Sequence, residues 1–214
     1  MNIDYIAHIR LPTEKAHGIQ IMKMCEAFAR SDNSVRLIVP NRKTPISADP
    51  FTYYGVHAIF RILRLKGADT VSWGRLGFYI HYMQFALRAV LRSARDSARG
   101  EGAIIYTRDF LVVLLARLAR RPVFFEVHTA SGGVLARQAM RVASAVITIT
   151  AGLEKYAIES GVMSDRVLVA HDGVDLGEFS VAEAKRESIR SELGVPDNDR
   201  LVMYVGKYST MCES

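Results

Sequence analysis

Four stretches of the chain place chemically capable side chains where an apolar run gives way to a polar one. Glu126-Val127-His128 ends one such run, and the i, i+2 spacing puts Glu126 and His128 on one face of a strand. His128 can hold a hydroxyl or accept a proton near neutral pH, or it can be a hydrogen-bonded structural histidine. Tyr106-Thr107-Arg108-Asp109 ends another run. Arg108 has the planar fork that clamps a phosphate or carboxylate, and Asp109 is suited to cap the helix that follows. Between Arg10 and Gly18 the one glycine, Gly18, sits next to His17 at a helix start, where free amides can approach a phosphate or a sugar. In His171 to Phe179, the residues Asp172, Gly173 and Asp175 make a tight polar turn, either on the surface or lining a cleft between domains.

The motifs that are missing narrow the chemistry. There is no G-x-G-x-x-G after the first strand and no G-x-x-x-x-G-K-[ST], which speaks against a nicotinamide or flavin site and against a P-loop phosphotransferase. No G-x-S-x-G elbow marks a hydrolase. Paired carboxylates for glycoside hydrolysis are not evident either. The histidines lack an H-x-x-x-H pairing, so no metal site is expected. No zinc-finger or RRM signature supports nucleic-acid binding.

The elements that must hold these residues follow from periodicity. Runs rich in Val, Ile, Phe and Tyr at 2–9, 35–39, 58–63, 103–106, 122–127, 145–149 and 166–170 predict strands. Helical patterns at 17–31, 74–99, 109–120, 133–143, 151–160 and 182–193 lie between most of them, and 41–54 reads as a loop. Strands alternating with helices predict a doubly wound, mostly parallel α/β sheet of Rossmann-like type. In such sheets ligands bind beyond the carboxyl ends of the strands, where the first three stretches lie.

Composition sets the setting. The 214 residues are 50% apolar and 23% charged, enough for a sizeable core. Cys25 and Cys212 are far apart and form neither a disulfide framework nor a zinc motif, which suggests a reducing compartment. The start, Met1-Asn2-Ile3-Asp4, lacks the basic region of a secretion signal, and no apolar run reaches the length of a membrane span. The expected location is therefore cytoplasmic. The net charge of +6 is carried entirely by residues 61–99, where eight basic residues face only Asp69 and Asp96. Arg88, Arg92, Arg95 and Arg99 fall on one helical stripe, with Leu76, Ile80, Met83, Leu87, Val90 and Leu91 as the apolar side of the same segment. This is a basic amphipathic helix, either a solvated face or a contact for an anionic membrane surface or an acidic partner.

The order and spacing of Glu14-Lys15-Ala16-His17-Gly18-Ile19-Gln20, Tyr53-Tyr54-Gly55-Val56, Tyr106 to Asp109, Glu126 to His128, Ile147 to Thr150 and His171 to Asp175 resemble the group-4 retaining glycosyltransferases of the GT-B fold. The resemblance implies two Rossmann-type domains across a cleft, of which this chain would supply the amino-terminal, acceptor-side one. It implies a nucleotide-sugar donor as co-substrate without a further cofactor, and a saccharide or lipid-linked acceptor. It implies His128 near the transferred sugar, Gly18 and His17 toward the donor, and Arg108 and Glu126 on the acceptor side. Asp172, Gly173 and Asp175 would border the interdomain cleft. Relatives that work at the inner face of the cytoplasmic membrane make Arg88, Arg92, Arg95 and Arg99 a membrane contact. The expected first domain is 1–195. The strand at 200–205 with Gly206-Lys207 then opens a truncated second domain at 196–214, or adds to the same sheet. Without donor ligands from that second domain, the chain alone is expected to be inactive. The reading from another class is a non-catalytic module that binds anionic membrane or an acidic partner through the basic helix.

Overall fold

The β-branched and aromatic runs form strands whose residues alternate between two apolar layers, as expected where helices cover both faces of a sheet. The structure, a computed structural model, describes residues 1–68, 70–98, 102–130, 133–174, 176–179, 183–196 and 198–202. The chain divides into two units, Met1–His171 and Asp172–Ser214.

In the first unit the strands are β1 (Asn2–Ile6), β2 (Ser34–Pro40), β3 (Arg61–Leu65), β4 (Ile104–Thr107), β5 (Val123–Val127), β6 (Ala145–Thr148) and β7 (Val167–Val169). The helices are α1 (Ala16–Arg30), α2 (Pro50–Tyr54), α3 (Gly74–Ala98), α4 (Phe110–Leu118), α5 (Gly133–Val142) and α6 (Ala151–Glu159). All neighbouring strands pair in parallel, in the order β3-β2-β1-β4-β5-β6-β7. The order reverses between β1 and β4, which opens a crevice at their carboxyl ends. The doubly wound α/β expectation therefore holds.

Alternation along the strands builds the two layers. Ile6, Ile38, Ile105, Phe125 and Val146 pack with Phe85, Ala86, Ala89 and Val90 of α3, and with α4, α5 and α6. Tyr5, Leu37, Val39 and Tyr106 point the other way, against Ile21, Met22 and Cys25 of α1. Cys25 is a buried free thiol, and Cys212 lies outside the described residues.

Three expectations are revised. The stretch 41–54 is not wholly a loop, because Pro50–Tyr54 forms α2. Asp49 accepts hydrogen bonds from the amides of Phe51 (2.9 Å) and Thr52 (3.2 Å), proline fills the first turn, and Gly55 closes the helix at φ 62°. Strand β3 starts at Arg61 rather than 58. On α3, of the side chains assigned to one apolar side, only Val90 faces the core. Leu76, Ile80, Met83, Leu87 and Leu91 are exposed, and Tyr82, Phe85, Ala86 and Ala89 fill the packed face. The helix is apolar on two sides, so periodicity alone does not tell which is buried.

The amino end of the sheet is tied to α3 by charge. Asp4 on β1 is buried and accepts Arg36 of β2 through two bonds of 2.9 and 3.0 Å. Arg36 also donates to Asp96 of α3 at 2.6 Å, and Asp96 receives Arg92 at 2.9 Å. Arg88 donates to the Lys66 carbonyl at 2.6 Å. Arg88 and Arg92 thus hold the fold as well as presenting charge, Arg95 is exposed, and Arg99 lies outside the described residues.

The second unit contains α7 (Leu176–Phe179) and α8 (Glu183–Glu192). Leu201 and Val202 are not in a regular element, and the rest of the expected strand, with Gly206 and Lys207, lies outside the described residues. Among the described residues, no helix is long and apolar enough to cross a membrane.

Burial raises the Asp96 carboxyl, but the hydrogen bonds and charges of Arg92 and Arg36 outweigh it and hold the group below its ordinary 3.8. An acid depressed in the folded state stabilises above its unfolded value, and that contribution is lost as the pH falls through the folded value. Asp96→Asn is expected to lose about 2 kcal/mol at neutral pH and to show a flatter loss of stability below pH 4, as read by urea unfolding.

Candidate functional site

The crevice at the strand-order reversal is built from the carboxyl ends of β1, β4 and β5 and the start of α1. Registers Tyr5↔Tyr106 and Tyr106↔Phe124 align the three strands, so residues just past their ends converge. Glu126 is only 2% exposed and points to the α1 side of the sheet. Arg108 meets its carboxylate with a fork, Nε to Oε2 at 3.1 Å and Nη2 to Oε1 at 2.9 Å. The His128 ring reaches the same carboxylate, Nε2 to Oε1 at 2.7 Å, and the Tyr5 hydroxyl donates to Oε2 at 3.4 Å. Arg108 Nη1 donates to Gln20 Oε1 on α1 at 3.0 Å.

Electrostatics fix the roles. Burial alone would raise the Glu126 carboxyl, yet the His128 hydrogen bond and the Arg108 charge hold it below the ordinary carboxylate range. The anion therefore accepts from His128, which makes Nε2 a donor and leaves Nδ1 as the nitrogen not engaged by Glu126. Arg108 spends Nε, Nη2 and Nη1 on Glu126 and Gln20, and Glu126 spends both oxygens within the protein. The pair positions His128. His17 is half-buried, and burial together with Lys15 and Arg108 lowers its pKa, so the ring stays neutral.

Gly18 is buried in the first turn of α1, and its lack of a side chain serves the protein's own packing. A Cβ there would stand 2.7 Å from Thr13 Cγ2 and collide with the Tyr54 hydroxyl. That hydroxyl accepts the Thr13 amide at 2.7 Å and donates to the Thr13 carbonyl at 2.7 Å, which anchors the β1–α1 loop to α2. Asp172 and Gly173 are exposed at the opening of the second unit, and Asp175 lies outside the described residues.

A second cluster beside the crevice escaped the sequence reading. Asp109 does not cap α4 with its side chain. Its carboxylate instead accepts the His8 amide at 2.9 Å, just past the end of β1, and hydrogen-bonds to Tyr82. The His8 ring lies 2.7 Å from His81, Nε2 to Nδ1, and packs among Phe78, Tyr82 and Phe85. His8 lies two residues past the end of β1, close to where Arg108 and His128 directly follow β4 and β5, and that position was the available signal.

No family model and no curated protein matches the chain. Solved structures do resemble it. HepE of Anabaena in complex with UDP is 15% identical, with a TM-score of 0.58 over 91% of this chain and 50% of that one. A glycosyltransferase of Rickettsia africae is 11% identical, with a TM-score of 0.59 over 92% and 50%. UDP-GlcNAc 2-epimerase of Neisseria meningitidis bound to UDP-GlcNAc is 11% identical, with a TM-score of 0.59 over 94% and 55%.

The Gly18 and Asp109 arrangements each give an expected outcome. Gly18→Ala should cost about 1–3 kcal/mol through overpacking, and should cost clearly less in a Tyr54→Phe background, where the colliding oxygen is gone. Equal costs in both backgrounds, measured by urea unfolding, would contradict the packing. Burial pushes Asp109 up to about 6, against the pull of the His8 amide, Tyr82 and Arg108. An acid raised in this way stabilises most below its unfolded pKa, and the contribution fades as the pH rises through about 6. Burial, His81 and Arg42 lower His8 to about 4, so His8 favours the folded state at higher pH and opposes Asp109 in the same window. Comparison with Asp109→Asn isolates the acid: from about pH 4.5 to 7 the wild type should lose stability relative to the variant.

The chain spans about half the length of these solved structures, and it has the fold of the amino-terminal half of the GT-B architecture.

Proposed function

We propose that the chain is the acceptor-side half of a retaining glycosyltransferase that takes a sugar from a nucleotide-sugar donor and passes it to a saccharide or lipid-linked acceptor. The observation that carries this reading is the His128–Glu126–Arg108 relay at the carboxyl ends of β4 and β5, next to the point where the strand order reverses. Glycosyltransferases and an epimerase share the fold, so fold alone does not choose the chemistry and the site must. A histidine whose Nε2 is pinned to a buried anion presents Nδ1 in a fixed direction. In the proposed reaction Nδ1 accepts a hydroxyl of the sugar being moved and orients its anomeric carbon toward the acceptor. Glu126 compensates any positive charge that builds on the ring. The nucleotide-sugar enters as co-substrate, and most of its binding energy comes from a partner half, so the chain by itself is inactive in this reading.

The test joins the chain to a nucleotide-sugar-binding half and follows turnover by NMR, which also reports the configuration of the product. Transfer with retention is expected. His128→Ala should lower kcat about 100-fold with circular dichroism unchanged, and Glu126→Gln, which keeps an acceptor but removes the charge, should have a smaller effect. Turnover indifferent to His128→Ala would remove the assigned role. A C2-epimerised sugar without transfer would replace the proposal with the epimerase reading.

A further inference from the structure

The outward side of α3 has more apolar surface than a solvated helix needs. Leu76 is 72% exposed, Met83 49% and Leu87 46%, and with Ile80 and Leu91 they recur every three or four residues along one line. Trp73, in the turn that leads into the helix, is 71% exposed, and Tyr79 is exposed beside it. From Leu76 to Leu91 the ridge runs about 23 Å along this 25-residue helix. None of these side chains belongs to either packed layer.

The charges around the ridge name its partner. Arg75, Arg88, Arg92 and Arg95 are all exposed on α3. The helix has one acid, Asp96, which is buried between Arg36 and Arg92. At about 100° per residue, Arg88, Arg95 and Arg92 flank the ridge on one side rather than forming its crest. Arg88 bonds to a backbone carbonyl, which leaves its charge uncompensated by that contact. Among the described residues α3 therefore shows solvent only apolar, aromatic, small or positive side chains together with neutral polar ones, and no exposed anion. Leu and Met at the crest, Trp and Tyr at one end and arginines along the flank match the boundary between acyl chains and anionic headgroups. A second copy of the chain would bring its own arginines against these, which like charge disfavours.

We infer that the outward ridge of α3, Leu76-Ile80-Met83-Leu87-Leu91 with Trp73 at its start, lies in the surface of an anionic lipid bilayer. The ridge supplies insertion, and the flanking arginines supply attraction that salt weakens. This differs from a contact made by the arginine stripe alone, which would be purely electrostatic. It stands on the surface of α3 and does not depend on the transferase reading.

The test is co-sedimentation of the full chain with vesicles of phosphatidylcholine, alone or mixed with phosphatidylglycerol. The chain is expected to bind the mixed vesicles and to bind them less at high salt. Leu76→Ser/Met83→Ser/Leu87→Ser should weaken binding about tenfold or more while circular dichroism and Tm stay unchanged, since all three side chains are exposed. Arg75→Gln/Arg95→Gln, which touches no described ion pair, should weaken binding to mixed vesicles and reduce its dependence on salt. No binding to mixed vesicles at low salt overturns the inference, as does a triple serine variant that binds like the wild type. Light scattering that shows a dimer split by the serine substitutions would reassign the ridge to a second copy. Equal binding to both kinds of vesicle would refute the role of the arginines.

Discussion

A carboxylate buried to the extent of Glu126 persists as an anion only if the protein supplies cations and donors to replace water. Those partners come from separate parts of the chain: Arg108 from the end of β4, His128 from the end of β5 and Tyr5 from β1. They meet because β1, β4 and β5 are consecutive in the sheet and end at one edge. The parallel strand order and the charged cluster are thus one constraint. A slip of β5 by one residue would turn Glu126 to the opposite, apolar layer, away from Arg108 and Tyr5.

The same logic gives Arg108 a structural task, since three of its five N–H donors are used on Glu126 and Gln20. A guanidinium already bridging Glu126 and Gln20 has exchanged its freedom for a fixed shape. What reaches the crevice is the half-buried histidine ring that this shape directs. Tyr54 performs a corresponding task in the β1–α1 loop, where its hydroxyl bonds both the amide and the carbonyl of Thr13.

Elements with a single strong period were legible in the sequence. Strands such as Val123–Val127 and helices such as Ala151–Glu159 lie where alternation and helical spacing place them. Glu126, His128 and Arg108 were legible as a group because the ends of parallel strands collect at one edge. The Asp49-Pro50 start and Gly55 stop of α2 were also in the sequence, but five residues are too few to show a helical period. Asp109 looked like a cap by position, and only the neighbouring end of β1 shows that its carboxylate is used by His8. The buried side of α3 was not legible because small Ala86 and Ala89 line it while large leucines point outward. Tyr82 and Phe85 share that side, so side-chain size does not mark it either.

Helix α3 touches both margins of the central strands. Toward its start, Phe78 and Tyr82 enclose the His8 ring with centroids 5.4 and 4.9 Å away. Toward its end, Asp96 grips Arg36, which in turn holds Asp4. It is a strut clamped at two points on the same sheet. For the helix to tilt away from the sheet, the aromatic clamp or the ionic one would have to open first.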